Sequence, residues 1–140
     1  ARLVACGYSQ IPGVDFTDNF APVINDVTYR ILIVSSIVWK LKMKIIDFET
    51  AFLHCDLEQE IYMDCPEGLE STSDECVLLQ KTIYGLVQSA RQFFKKLIQV
   101  LKKIGFKGGS ADPCLMTKRC KKGIVFIACY VDECLCCGHE

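Results

Sequence analysis

The stretch from Ile124 to Cys137 constrains the fold most. Ile124–Val131 is apolar throughout, Asp132-Glu133 interrupts with two acids, and Cys134–Cys137 is apolar again. Strand, two-residue acidic turn, strand is a hairpin pattern. A uniformly apolar strand suits burial on both faces of a sheet. Leu115–Lys118 precedes the hairpin, joined to it by the basic turn Lys121-Lys122-Gly123. Farther upstream, Leu41–Asp47 alternates apolar and lysine residues like a strand and ends in a carboxylate.

The remaining elements fill in around these strands. Arg2–Cys6 alternates weakly and reads as a short strand, followed by a loop through Gly13 and Pro22. Apolar residues at 27, 31, 34 and 38 give Asp26–Val38 helical spacing, with Asn25 or Asp26 as N-cap. Thr50–Leu53 reads as a helical turn, and Glu60–Met63 and Cys76–Leu79 as short strands flanking a polar loop. The clearest helix spans Gln88 to Ile104, with Phe93, Phe94, Leu97, Leu101 and Ile104 on one face. Ser89 and Gln92 have capping-box spacing, and Gly105 supplies the stop. This order implies an α+β fold in one domain, a sheet with helices packed on one face.

Composition excludes several classes. Half of the 140 residues are hydrophobic and a quarter charged, as in a globular chain. No apolar run approaches the roughly 18 residues of a membrane span. Ten cysteines lack paired spacing and several fall inside apolar runs, which points to reduced thiols in an intracellular compartment. Cys134, Cys136, Cys137 and His139 do not have zinc-site spacing. Charge is segregated: Asp47–Glu75 holds ten acids and no Lys or Arg, and Lys81–Lys122 holds eleven Lys and Arg against one acid, Asp112. The basic block is a candidate phosphate-attracting face. Two solvated faces of opposite sign would give the same pattern.

Carboxylates at the ends of buried strands are costly to desolvate without a partner or a metal. If the strands ending at Asp47 and at Asp132-Glu133 are neighbours, their tips converge, and a cluster of acids binds hard cations through oxygen. Two such ions support in-line displacement at phosphorus. The same acids also suit plain local roles, Asp47 capping the following turn and Asp132-Glu133 forming an ordinary hairpin turn.

A family resemblance bears on that choice. Ala1-Arg2-Leu3-Val4-Ala5-Cys6-Gly7-Tyr8-Ser9-Gln10 with Phe20-Ala21-Pro22-Val23 resembles the opening of the copia-type retrotransposon reverse transcriptase domain. Ile46-Asp47-Phe48-Glu49-Thr50-Ala51-Phe52-Leu53 resembles its first catalytic motif. Glu60-Ile61-Tyr62-Met63 with Pro66-Glu67-Gly68 resembles the segment that follows. Ile83-Tyr84-Gly85-Leu86 with Gln88-Ser89-Ala90-Arg91 resembles the nucleotide-pocket motif, and Ala111-Asp112-Pro113-Cys114-Leu115 and Tyr130-Val131-Asp132-Glu133 complete the series in family order.

The resemblance implies a fingers-and-palm fold with an antiparallel palm sheet. Fingers would take residues 1–40 and part of 55–85, palm 41–54 and 86–140, without thumb or RNase H. It implies an RNA-directed DNA polymerase using Mg²⁺, with Mn²⁺ as substitute. Its partners would be an RNA or DNA template-primer, deoxynucleoside triphosphates and the rest of a retroelement polyprotein, in a cytoplasmic particle and without a membrane. Asp47, Asp132 and Glu133 would be catalytic, and Asp47, Asp132 and the Phe48 carbonyl would hold metal. Arg2, Phe48, Phe52, Tyr84, Gly85 and Tyr130 would serve the nucleotide. Phe52 would be the ring that excludes a ribose 2′-hydroxyl, and Gly85 would allow close backbone approach.

Departures from the family pattern predict weak or absent turnover. Glu133 stands where a second aspartate is usual, Val87 and Cys6 where lysines are usual, and Ala90 where proline is usual. One added methylene moves the carboxylate by about 1 Å, which can cost on the order of 10²-fold in rate. The competing reading is a non-catalytic nucleic-acid-binding remnant that uses the basic block.

Overall fold

The computed structural model describes residues 3–69, 72 and 75–139. Its regular elements are α1 (Asp26–Val38), β1 (Lys42–Asp47), β2 (Tyr62–Asp64), β3 (Cys76–Leu78), α2 (Ser89–Lys103), β4 (Lys107–Gly108), β5 (Leu115–Cys120), β6 (Gly123–Tyr130) and β7 (Glu133–Gly138), with 3₁₀ turns at Gly7–Ser9 and Ala51–His54. The chain divides into two compact units. Ala21–Glu49 with Phe94–Glu140 forms a sheet unit, and Ala1–Phe20 with Thr50–Phe93 forms a loop unit. Helix α1 groups with the sheet.

The sheet unit is an antiparallel five-stranded sheet in the order β1-β7-β6-β5-β4. Directly opposed residues of antiparallel strands project to the same side, so the register sorts the sheet into two faces. Ile45 and Asp47, Glu133 and Leu135, Phe126 and Tyr130, and Leu115 and Thr117 share one face. Helix α1 lies over it: Leu32 and Trp39 border a hollow with Leu115 and Phe126, and Trp39 stacks on Phe126 at 6.3 Å. On the opposite face, Lys118 Nζ donates to the Ile104 carbonyl at 2.7 Å and sits 5.7 Å from the Phe106 ring. The segment leaving α2 therefore meets the other side of the sheet. Helix α1 thus lies over one face, and the chain just after α2 meets the other.

Burial is concentrated in the middle strands. Met116, Ala128 and Cys137 are wholly buried, and Cys129 and Cys134 nearly so. Cys129 and Cys134 are opposed in the ladder. The hydrogen bond they share, then burial, pushes the Cys129 thiol up. Burial, with Asp112 nearby, holds the Cys114 thiol at about 11. All ten cysteines are free thiols.

Two burial expectations fail. Strand β1 is exposed at all six positions because it is the sheet edge, with β7 on one side only. Strand β6 is buried only in its second half; Gly123 and Ile124 are exposed. Boundaries move too. Residues 3–6 form no strand, since the Ala5 N–H bond to the Tyr84 carbonyl at 2.8 Å is not continued as a ladder. The Ser89 hydroxyl donates to the Ile83 carbonyl at 2.6 Å, so it does not make the predicted cap. Asn25 does cap α1, its side chain accepting from the Val27 N–H at 2.9 Å. The β4 pair was not foreseen.

The loop unit has less regular structure. Met63 of β2 and Leu79, just after β3, pack against a small core of Ile61, Ile83 and Leu86. Polar side chains tie the rest. Gln10 Nε2 donates to Gln88 Oε1 at 3.1 Å, Gln10 Oε1 accepts from the Val87 N–H at 2.8 Å, and Gln88 Nε2 donates to the Asp15 carbonyl at 3.1 Å. Arg91 bridges Asp18 at 2.7 Å and the Phe20 carbonyl at 3.0 Å.

Candidate active site

The ladder determines which acids meet. Asp47 is the last residue of β1 and stands opposite Glu133, the first residue of β7. Glu133 in turn stands opposite Tyr130, the last residue of β6. Tyr130, Glu133 and Asp47 thus form a row across the end of the sheet on one face. One step beyond, the Phe48 N–H donates to the Asp132 carbonyl at 3.2 Å. That bond ties the chain after Asp47 to the hairpin turn, so the strands are neighbours and their two ends converge.

The turn itself is Val131-Asp132, not Asp132-Glu133, because the Tyr130–Glu133 pair closes the hairpin. Val131 has φ of 49°. A β-branched residue there is strained, on the order of 1–3 kcal/mol, and such strain persists only where surrounding structure enforces it. Pairing on both flanks of the turn, through Tyr130 and the Asp132 carbonyl, supplies that enforcement.

The acids are accessible. Asp47 and Glu133 are exposed and Asp132 is half-buried. The expected desolvation penalty at Asp47 is therefore absent, since its strand is the edge. As metal ligands the residues are of the right kind: carboxylate oxygens with a carbonyl beside them suit a hard cation such as Mg²⁺. Yet among the described residues no group of three or more His, Cys, Asp or Glu is gathered closely enough to hold a metal ion. That covers the cysteine-rich end of β7 as well. Beside the row, a hollow of about 300 Å³ lies between α1 and the sheet, bordered by Asp26, Tyr29, Ile45, Glu133 and Leu135.

The nucleotide-side residues fall into different settings. Tyr130 is 53% exposed in the row and Phe48 is half-buried next to it. In the loop unit, Phe52 is buried with its ring 4.5 Å from Tyr84 and 6.2 Å from Phe93. Its ring is packed as a core aromatic. Gly85 has φ of 95°, and a Cβ there would come within 2.1 Å of the Ala5 carbonyl oxygen. The close approach glycine allows at this position is to the protein's own backbone. Arg2 lies outside the described residues.

Reasoning from the sequence missed Asp112. It is 5% exposed, and its two carboxylate oxygens accept from the Asn25 and Cys114 N–H groups, each at 2.9 Å. It joins the start of α1 to the start of β5. The Cys114 bond is an Asx turn, legible from an acid three residues ahead of the strand; the Asn25 bond has no local signal.

Comparison with known proteins is consistent along the whole chain. Residues 1–140 match the family described as reverse transcriptase (RNA-dependent DNA polymerase). The chain is 36% identical, over all its length, to the retrovirus-related Pol polyprotein from transposon TNT 1-94 of Nicotiana tabacum, and 34% identical to that from transposon RE2 of Arabidopsis thaliana. It covers 11% and 10% of those polyproteins, so it spans about a tenth of their length. No solved structure matches it. No helix among the described residues is long and apolar enough to cross a membrane.

Proposed function

The chain belongs to the reverse transcriptase (RNA-dependent DNA polymerase) family, as found in the Pol polyproteins of copia-type transposons, and on that premise we propose that the hairpin end of the sheet unit is the seat of nucleotidyl transfer from deoxynucleoside triphosphates to a primer. The observation that supports this most is the pairing of Asp47 with Glu133 together with the Phe48 N–H to Asp132 carbonyl bond. It brings the family's acids to one sheet end by backbone register, which side-chain motion does not undo. Asp47, Asp132 and the Phe48 carbonyl would hold Mg²⁺ or Mn²⁺, which when bound activates a 3′-hydroxyl and stabilises the leaving pyrophosphate.

The chain's own residues position and modulate. The Val131-Asp132 turn presents Asp132, and Glu133 adds a charge on a longer arm. That arm lowers turnover without removing affinity for the cation. Tyr130, exposed in the same row, offers a ring at the primer end. In the loop unit the nucleotide roles are assigned to Arg2, Phe52, Tyr84 and Gly85, with the Phe52 ring orientation set by Tyr84 and Phe93. An RNA or DNA template-primer is the polymeric partner, and a retroelement polyprotein the parent.

Primer extension on an RNA template with Mg²⁺ or Mn²⁺ tests the assignment. Asp47→Asn and Asp132→Asn should each abolish incorporation, and Glu133→Asp should raise it by on the order of 10²-fold. Incorporation that survives Asp47→Asn would refute these roles. Template binding that persists with no incorporation in any variant would favour the non-catalytic reading.

A further inference from the structure

The far end of the same sheet carries a basic pole with an aromatic centre. Strand β6 runs from Gly123 there to Tyr130 at the acidic row, so at 3.3–3.4 Å per residue the two ends lie roughly 23 Å apart. Trp39 ends α1 at this pole. One face of the indole stacks on Phe126, yet 56% of the residue is exposed. A hollow of about 250 Å³ opens beside it, bordered by Trp39, Leu41, Ile124, Phe126 and His139.

Four cations adjoin the residues that border this hollow, in sequence or across the ladder. Lys40 stands between Trp39 and Leu41 with φ of 54°, a turned conformation that keeps it out of both helix and strand. Arg119 is directly opposite Ile124 in the ladder and so projects on the same face. Lys121 and Lys122 form the exposed turn before Gly123, whose backbone abuts the His139 ring. The stretches 37–44 and 118–125 contain no acid.

An exposed indole flanked by cations matches what a single-stranded nucleic acid requires: a π-face for a base and positive charge for the phosphates on either side. An acidic peptide would use the cations and leave the indole without a role. We propose that this pole is a foothold for single-stranded RNA or DNA, one nucleobase stacking at Trp39 and the neighbouring phosphates held by Lys40, Arg119, Lys121 and Lys122. The proposal is independent of the carboxylate row.

Trp39 is the chain's single tryptophan, so its emission reports the site directly. Titration with a 15-nucleotide oligo-U or oligo-dT should quench it, and inorganic polyphosphate of similar charge should bind without quenching. K121E/K122E should weaken oligonucleotide binding by on the order of tenfold or more and flatten the log affinity against log salt slope by about 0.7 per lysine. Trp39→Ala should cost on the order of tenfold by anisotropy of a labelled oligonucleotide, and Trp39→Phe less. Four results would each overturn the proposal: no quenching by either oligonucleotide, equal quenching by polyphosphate, affinity unchanged in K121E/K122E, or emission that tracks protein concentration alone, as a second copy on the hollow would cause.

Discussion

The sheet unit and the loop unit are held together by different means. In the sheet unit, backbone ladders connect five strands, four of six to eight residues and β4 of two, and the buried side chains between them are apolar or thiol. In the loop unit the paired strands are three residues long, and order comes from side-chain clasps and backbones in contact at Gly7 and Gly85. Ladders set geometry by register, which tolerates many side chains. Clasps set it by particular atoms, which tolerate few. The acidic row sits in the tolerant unit, consistent with a Glu133 that departs from the family pattern without disturbing the pairing that places it.

Three substitutions sharpen or break that contrast, read by thiol alkylation at Cys55, buried in the loop unit, and Cys129, buried in the sheet unit. Gly85→Ala meets a left-handed backbone and the Ala5 carbonyl together, so it should cost about 2–6 kcal/mol. Cys55 should become reactive well before Cys129. Met116→Ala empties a fully buried site in β5 and should cost about 2–5 kcal/mol, with the opposite order of exposure. Gln88→Ala leaves Gln10 Nε2 and the Asp15 carbonyl without the bonds they make to Gln88 and should cost about 1–3 kcal/mol, again at Cys55. If Gln88→Ala exposes both cysteines together, the two units unfold as one and the contrast is lost.

The same difference explains what could be read from the chain. Helix α1, its Asn25 cap and the β6–β7 hairpin follow from local periodicity and turn chemistry, and their observed bounds lie within a residue or two of expectation. That β1 neighbours β7 was only a conditional, because pairing of residues some ninety positions apart leaves no local trace; the register resolves it. Edge status was equally invisible, and with it the exposure of Asp47. The Gln10–Gln88 clasp joins residues 78 apart, and a glutamine in a loop announces no partner. Phe52 shows a related limit. The family resemblance of its motif would give it to the nucleotide, and its contacts with Tyr84 and Phe93 place it in the core.

The proposed nucleotidyl transfer rests on Asp47 and Asp132 acting on one cation. Paramagnetic broadening of backbone amides during Mn²⁺ titration measures this with no catalysis required. The predicted result is broadening centred on Phe48 and on Val131–Glu133, eliminated by Asp47→Asn and by Asp132→Asn alike. Broadening centred instead on the acids of residues 56–75, or persisting at the turn in either variant, would contradict it.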